Sequence, residues 1–262
     1  MHSDADSTGS VLEAGRVTRD VADGIATVTF GHPKKNSLPG SLLRTLAGEI
    51  TAAGEDPDVR VILLRSEGDG PFCAGASFDE MVAIHDMETG AEFFSGFARV
   101  ILAMARAPKP VVARVQGKVV GGAVGVVSAA DVAHATTACP ARLSELAIGI
   151  GPFVIGPAVE RKIGTAAFGA MSADTEWRDP EWCERHGLYT RVHPDTETMD
   201  AAVDDLTRRM AGFNPDALRQ LKEILWEGTE GWEALMEERA LISGELVLSE
   251  FTRNAIEGFK KK

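Results

Sequence analysis

The residues of this chain best placed to do chemistry are two adjacent glycines, Gly121 and Gly122, and one carboxylate downstream, Glu145. β-Branched residues follow Pro110 and run up to Gly117, the pattern of a strand. From about residue 122 to residue 130 the chain is small and apolar with almost no polar face, so a buried helix is expected there. The first backbone N–H groups of a helix lack intrahelical acceptors and lie at the positive end of its dipole. With no side chain at Gly121 or Gly122, a ligand oxygen could approach those amides closely. The chemistry open to such a turn is stabilisation of an anion or oxyanion. A tight strand-to-helix turn that uses glycine only for close packing has the same pattern.

Glu145 stands among apolar residues ahead of a Gly/Pro turn at 149–152. Burial without a cationic partner raises a carboxyl pKa towards neutrality, the condition for proton transfer near pH 7. An exposed glutamate on a half-buried strand has the same local sequence. A third stretch, residues 68–81, leaves a strand at 59–65 through a glycine-rich turn and enters a short helix-like segment. There Gly75 permits unusual backbone angles, and the N–H of Ala76 is left unpaired at the start of the segment. Cys73 has no histidine nearby in sequence and reads as a small buried residue rather than a nucleophile.

The elements that must position these groups alternate. A strand at 24–30, an irregular loop at 32–39, a helix at 41–53 and the strand at 59–65 point to an α/β architecture. No GxGxxG follows the first strand, which weighs against a dinucleotide-binding sheet. A helix is expected at 153–163, stopped by Gly164. Beyond it the chain becomes more helical, with helices at 166–171, 179–186, 196–211 and 217–227, a short strand near 188–192 and a long amphipathic segment at 232–249.

Bulk properties exclude several function classes. The 262 residues are 44% hydrophobic and 25% charged, a normal soluble composition, and the net charge is −12. That charge disfavours a broad nucleic-acid or anionic-membrane surface. Cys73, Cys139 and Cys183 lack metal-ligand spacing, and the histidines form no HxxxH or HExxH, so no metal is expected. Residues 1–12 read as a disordered tail without the features of a signal peptide, and no apolar run is long enough to span a membrane. The expected setting is cytoplasmic.

Taken together, the three stretches resemble the crotonase family, also called the enoyl-CoA hydratase/isomerase superfamily. Phe72-Cys73-Ala74-Gly75-Ala76-Ser77 resembles the family's first oxyanion-hole segment, with Ala76 as donor. Gly117-Lys118-Val119-Val120-Gly121-Gly122-Ala123 resembles its second, with Gly122 as donor. The resemblance implies an α/β fold, a crotonase-like ββα spiral over 13–195, followed by a helical trimerisation region over 196–262. It also implies a homotrimer or a homohexamer built as a dimer of trimers. The substrate it implies is an acyl-CoA thioester, with no cofactor beyond the coenzyme A that the substrate carries. Glu145 takes the place of a catalytic glutamate, Ala74, Gly75 and Gly121 take substrate-contacting places, and Phe259 and Lys262 match the CoA-contacting end.

One departure from the family pattern matters. Family hydratases typically use two glutamates, and the first of these positions is Gly125 here. A single base that removes a proton from one carbon and returns it at another suffices to move a double bond, so isomerisation is expected slightly ahead of hydration. Asp79 and Glu80 are the candidate replacement carboxylates, though a solvated or substrate-gating face suits both better. Decarboxylation or C–C bond hydrolysis in the same pocket, and a non-catalytic CoA-binding relative, are the competing readings. Acyl selectivity is assigned to loops such as 81–90.

Overall fold

Val61, Ile62 and Leu64 are wholly buried, as expected of a strand covered on both faces. They belong to a six-stranded sheet in the computed structural model of the protein, which describes residues 15–260. The tail expected over 1–12 and the terminal Lys262 lie outside the described residues, as does the side chain of Phe259. The sheet has the order β1 (Arg16–Ala22), β2 (Ile25–Gly31), β3 (Val61–Ser66), β4 (Val111–Val115), β6 (Val132–Thr136), β8 (Arg191–His193). β1 and β2 form an antiparallel hairpin turning at Asp23 and Gly24, both at positive φ. The remaining neighbours pair in parallel.

A second, smaller layer is made of β5 (Val119–Val120) and β7 (Ala141–Arg142), also parallel. Single parallel bridges, Leu38 with Ala76 and Cys73 with Val119, extend it across earlier turns of the chain. The repeating unit is therefore a strand of the large sheet, a short strand of the small layer, then a helix. β4, β5 and the helix Gly122–Ala129 form one such unit, and equivalent positions of successive units stack side by side.

The helices in chain order are α1 (Gly40–Glu55), α2 (Phe78–Ala83), α3 (Met87–Arg106), α4 (Gly122–Ala129), α5 (Gly156–Ile163) and α6 (Thr165–Asp174). They continue with α7 (Pro180–Arg185), α8 (Thr196–Ala211), α9 (Pro215–Leu225), α10 (Trp232–Val247) and α11 (Glu250–Lys260). Leu42, Leu43, Leu46 and Ile50 line the buried face of α1, and α4 is buried almost throughout. Three expectations need correction. The segment 81–90, expected to be a loop, contains the end of α2 and the start of α3, whose capping box joins Asp86 and Thr89. The helix expected from residue 153 begins at Gly156, where Pro157 fits the first turn. The strand expected near 188–192 is displaced to Arg191–His193, and Leu188 and Tyr189 are core residues instead.

A buried polar cluster fastens the helical end of the chain to the sheet. Asp131 accepts the Val111 N–H at 2.7 Å, Lys222 Nζ at 2.6 Å and Trp226 Nε1 at 2.9 Å. Lys222, only 4% exposed, also donates to the Met104 carbonyl at 2.8 Å, and burial lowers its pKa. Removing one member of a buried ion pair strands the other without compensation. Lys222→Met is therefore expected to lower the unfolding free energy by about 3–5 kcal/mol, read from urea denaturation. An unchanged midpoint would show that Asp131 does not depend on this cation.

Candidate active site

The small layer positions the two glycine-flanked amides. Leu38 N–H donates to the Gly75 carbonyl at 2.8 Å, and Ser77 N–H donates to the Leu38 carbonyl at 3.3 Å. This parallel bridge uses the groups on either side of Ala76, so the N–H of Ala76 itself faces away from Leu38. No described residue accepts it. On the adjacent turn, Cys73 N–H reaches the Lys118 carbonyl, Val120 N–H reaches the Cys73 carbonyl, and Gly121 N–H donates to the Arg142 carbonyl at 2.9 Å. Gly122 N–H is the next amide. It opens α4, where no preceding turn exists to accept it.

Both segments require glycine for identifiable reasons. Gly121 caps α4 with φ 58° and ψ −128°, and Gly75 has φ 93°. A Cβ on Gly75 would lie 3.1 Å from the Val120 carbonyl oxygen, and one on Gly122 would lie 2.6 Å from the ring of Phe97. The Gly75 N–H also meets Cys73 Sγ at 3.4 Å, while burial pushes the Cys73 thiol pKa up to about 12. Cys73 is thus a packed thiol supporting the turn, as its sequence context indicates.

Glu145 opens a 3₁₀ helix, Glu145–Ile148, rather than occupying a strand. Its Oε1 lies 3.4 Å from the place a Cβ on Gly121 would take, so the carboxyl abuts the glycine turn. Its Oε2 is shut off from solvent and has no partner among the described residues. Burial raises the pKa to about 7, with the backbone amides of Glu145 and Ser144 pulling the other way.

The expected site residues Ala74, Gly75, Ala76, Gly121, Gly122 and Glu145 all line one cavity of about 300 Å³. Its far walls are apolar: Phe93, Phe94 and Phe97 from α3, with Ile148, Ile150 and Ile155 from the segment after Glu145. The α3 wall and Ser243 of α10 were not singled out from the sequence. The signal available for α3 was the Asp86–Thr89 capping box ahead of a closely spaced aromatic set. Asp79 and Glu80 do not line this cavity. Asp79 pairs with Lys34, and Glu80 accepts the Gly40 N–H at 2.8 Å, closing the N-terminus of α1. Gly125 lies one turn along α4 from Gly122 and is not among the cavity's lining residues; a Cβ there would lie 2.6 Å from Ile155 Cβ and 3.0 Å from Ile101 Cδ1. Among the described residues, no three His, Cys, Asp or Glu side chains gather as a metal-ligand set.

Stacked strand–strand–helix turns around paired free amides and a buried carboxyl define the crotonase class of α/β proteins. The chain superposes on the crystal structure of an enoyl-CoA hydratase from Bacillus halodurans with a TM-score of 0.86, over 92% of this chain and 99% of that one, at 18% identity. The chain belongs to the enoyl-CoA hydratase/isomerase family, whose model matches residues 20–256. It is 32% identical over 200 residues to the mitochondrial methylglutaconyl-CoA hydratase of Rattus norvegicus, covering 75% of this chain and 63% of that protein. It is 34% identical over 210 residues to the (7aS)-7a-methyl-1,5-dioxo-2,3,5,6,7,7a-hexahydro-1H-indene-carboxyl-CoA hydrolase of Mycobacterium tuberculosis, covering 79% of this chain and 76% of that protein.

The raised pKa of Glu145 has a consequence for stability. The unfolded carboxyl ionises near 4.5 and the folded one near about 7, so between these values only the folded state holds the proton. Stability from this group is fully present below the window and is lost as pH rises through it. Glu145→Gln, neutral throughout, is expected to match the parent near pH 4.5 and to exceed it above about pH 7 by about 1–3 kcal/mol. Parallel thermal melts at the two ends of the window check this. An equal difference at both ends would place the carboxyl in a solvated environment.

Proposed function

We propose that the chain acts on an acyl-CoA thioester through an enolate, with Glu145 as its single proton shuttle. The carrying observation is that two residues with unpaired amides, Ala76 and Gly122, line the same largely apolar cavity as one carboxyl of raised pKa. The thioester oxygen accepts both N–H groups. Ionised Glu145 removes a proton from an acyl carbon, the C–H electrons form the enolate double bond, and the charge moves to the oxygen that the amides hold. Each such donor contributes about 3–4 kcal/mol to the transition state in comparable sites. Return of the proton to a different carbon relocates the double bond and regenerates the carboxylate.

Isomerisation is favoured over hydration because Glu145 is the sole carboxyl lining the cavity among the described residues. The place of a second glutamate is Gly125, and Ile155 fills the space beside it. Likeness to a protein named a methylglutaconyl-CoA hydratase supports hydration as the second reading, and likeness to a protein named a carboxyl-CoA hydrolase supports hydrolysis as a third. The proposed assembly is a homotrimer or a dimer of trimers. The exposed apolar side chains Leu221, Ile224 and Leu225 on α9, Leu241 and Ile242 on α10 and Phe251 on α11 support it. The proposed setting is the cytoplasm. Among the described residues no helix is long and apolar enough to cross a membrane. Phe259 and Lys262 are proposed to meet the nucleotide end of coenzyme A.

Incubation with matched 2-enoyl- and 3-enoyl-CoA thioesters tests the reaction. Interconversion of the two series without a hydroxyacyl product is expected; accumulation of the hydroxyacyl product would instead establish hydration. Glu145→Gln is expected to lower kcat by about 100-fold or more while thioester binding changes little. For the parent, kcat/KM should rise with pH through about 7 as the carboxyl ionises. Full activity in the variant would remove Glu145 from the reaction.

A further inference from the structure

Ser243 lies in the interior of α10, 1% exposed, and lines the cavity that holds Glu145 and the two free amides. Its Oγ is buried and has no hydrogen-bond partner among the described residues. This is unusual within the same molecule. Ser95, Ser128 and Ser172, also inside helices, each donate to the carbonyl four residues back, at 2.7 Å, 2.8 Å and 2.7 Å. That local bond is the ordinary fate of a buried helical serine. Ser243 forgoes it, leaving a hydroxyl without a partner in a wall whose other α3 and α10 side chains are apolar.

The backbone is built to bring Ser243 there. Gly244 faces Gly90 of α3, and a Cβ on Gly90 would lie 2.9 Å from the Gly244 Cα. A Cβ on Gly244 would lie 3.1 Å from the Ala91 backbone nitrogen. Glycine at both positions lets the helices approach closely, so residue 243 reaches the cavity beside Phe93 and Phe94. A buried polar group without a partner is disfavoured in a folded protein unless a ligand supplies that partner.

We propose that Ser243 is a specificity-determining residue that hydrogen-bonds a neutral oxygen, hydroxyl or oxo, on the acyl chain at a distance from the thioester. The substrate class is thus an oxygenated acyl-CoA rather than a plain hydrocarbon one. A carboxylate fits less well. The charged lining residues are Arg142 and Glu145, both from the small-layer side of the cavity, and α3 and α10 contribute no cation to the lining. The inference rests on the acyl-CoA reading above and deepens it.

The test uses pairs of saturated acyl-CoA thioesters of equal length, one plain and one carrying a hydroxyl or oxo group at successive carbons. With the oxygen kept beyond the third carbon, the saturated thioesters are neither substrates nor products of isomerisation or hydration, so they report binding alone. Calorimetric titration of the full-length protein is expected to show one oxygenated isomer binding about tenfold or more tighter than its plain counterpart. Ser243→Ala should collapse that ratio by about tenfold while its melting temperature stays level or rises, because no internal hydrogen bond is lost. Thioester binding with a ratio unmoved by the substitution would overturn this inference and leave the acyl-CoA reading standing. A lowered melting temperature would show that the hydroxyl has an internal partner, and would overturn it too. Absence of binding by every thioester would overturn both.

Discussion

The constraint on which the structure depends is the alternation of hydrogen bonding along a parallel bridge. At Leu38–Ala76 the bonds run to Gly75 and from Ser77, so the amide between them is directed elsewhere by backbone geometry alone. One turn later, Gly121 N–H is bound to Arg142, and Gly122 begins a helix with no acceptor behind it. Two donors remain unpaired for two different reasons, an edge of strand pairing and a helix start. Because the small layer stacks the same step of successive turns, the residues that carry both donors line one cavity. A backbone donor held by sheet and helix needs little reorganisation when charge appears in front of it, which is what makes such a site effective for an oxyanion.

Glu145 complements these donors through an opposite physical effect. The amides favour negative charge on a ligand, whereas the apolar surroundings of the carboxyl disfavour charge on the protein and hold the proton near neutrality. The 3₁₀ turn that begins at Glu145 and closes on Gly149 at φ 84° sets the carboxyl against Gly121. Glycine at 121 therefore serves twice: it adopts the strained cap conformation and leaves space for the carboxyl. Gly125, on the same helix, serves neither purpose. It is the contact that admits Ile155 and Ile101 against α4.

The helical part of the molecule is more than a cover. α3 and α10 meet through Gly90 and Gly244 and together supply the aromatic and hydroxyl-bearing wall of the cavity. α9 is fixed to the sheet by the Lys222–Asp131 pair, with Trp226 and the Val111 amide completing the carboxylate's partners. The proposed acyl recognition and the integrity of the sheet thus draw on the same C-terminal helices, while the two free amides come from the strand–turn–helix units.

The sequence by itself determined the local elements: the strand ahead of Gly117, the all-apolar α4, the leucine face of α1 and the glycine positions that allow close backbone approach. These depend on periodicity, β-branching and conformational freedom, which are properties of neighbouring residues. The motifs in the two glycine segments also pointed to the family. Tertiary structure alone decided whether the amides were free, since that depends on Leu38, Cys73 and Arg142, residues remote in sequence. It also decided that Glu145 sits half-buried on a 3₁₀ turn with its Oε2 shut off from solvent, that 81–90 is largely helical, and that Ser243 lines the cavity. Burial and the direction of a single N–H or hydroxyl are set by what packs against them from elsewhere in the chain, and no local pattern records that.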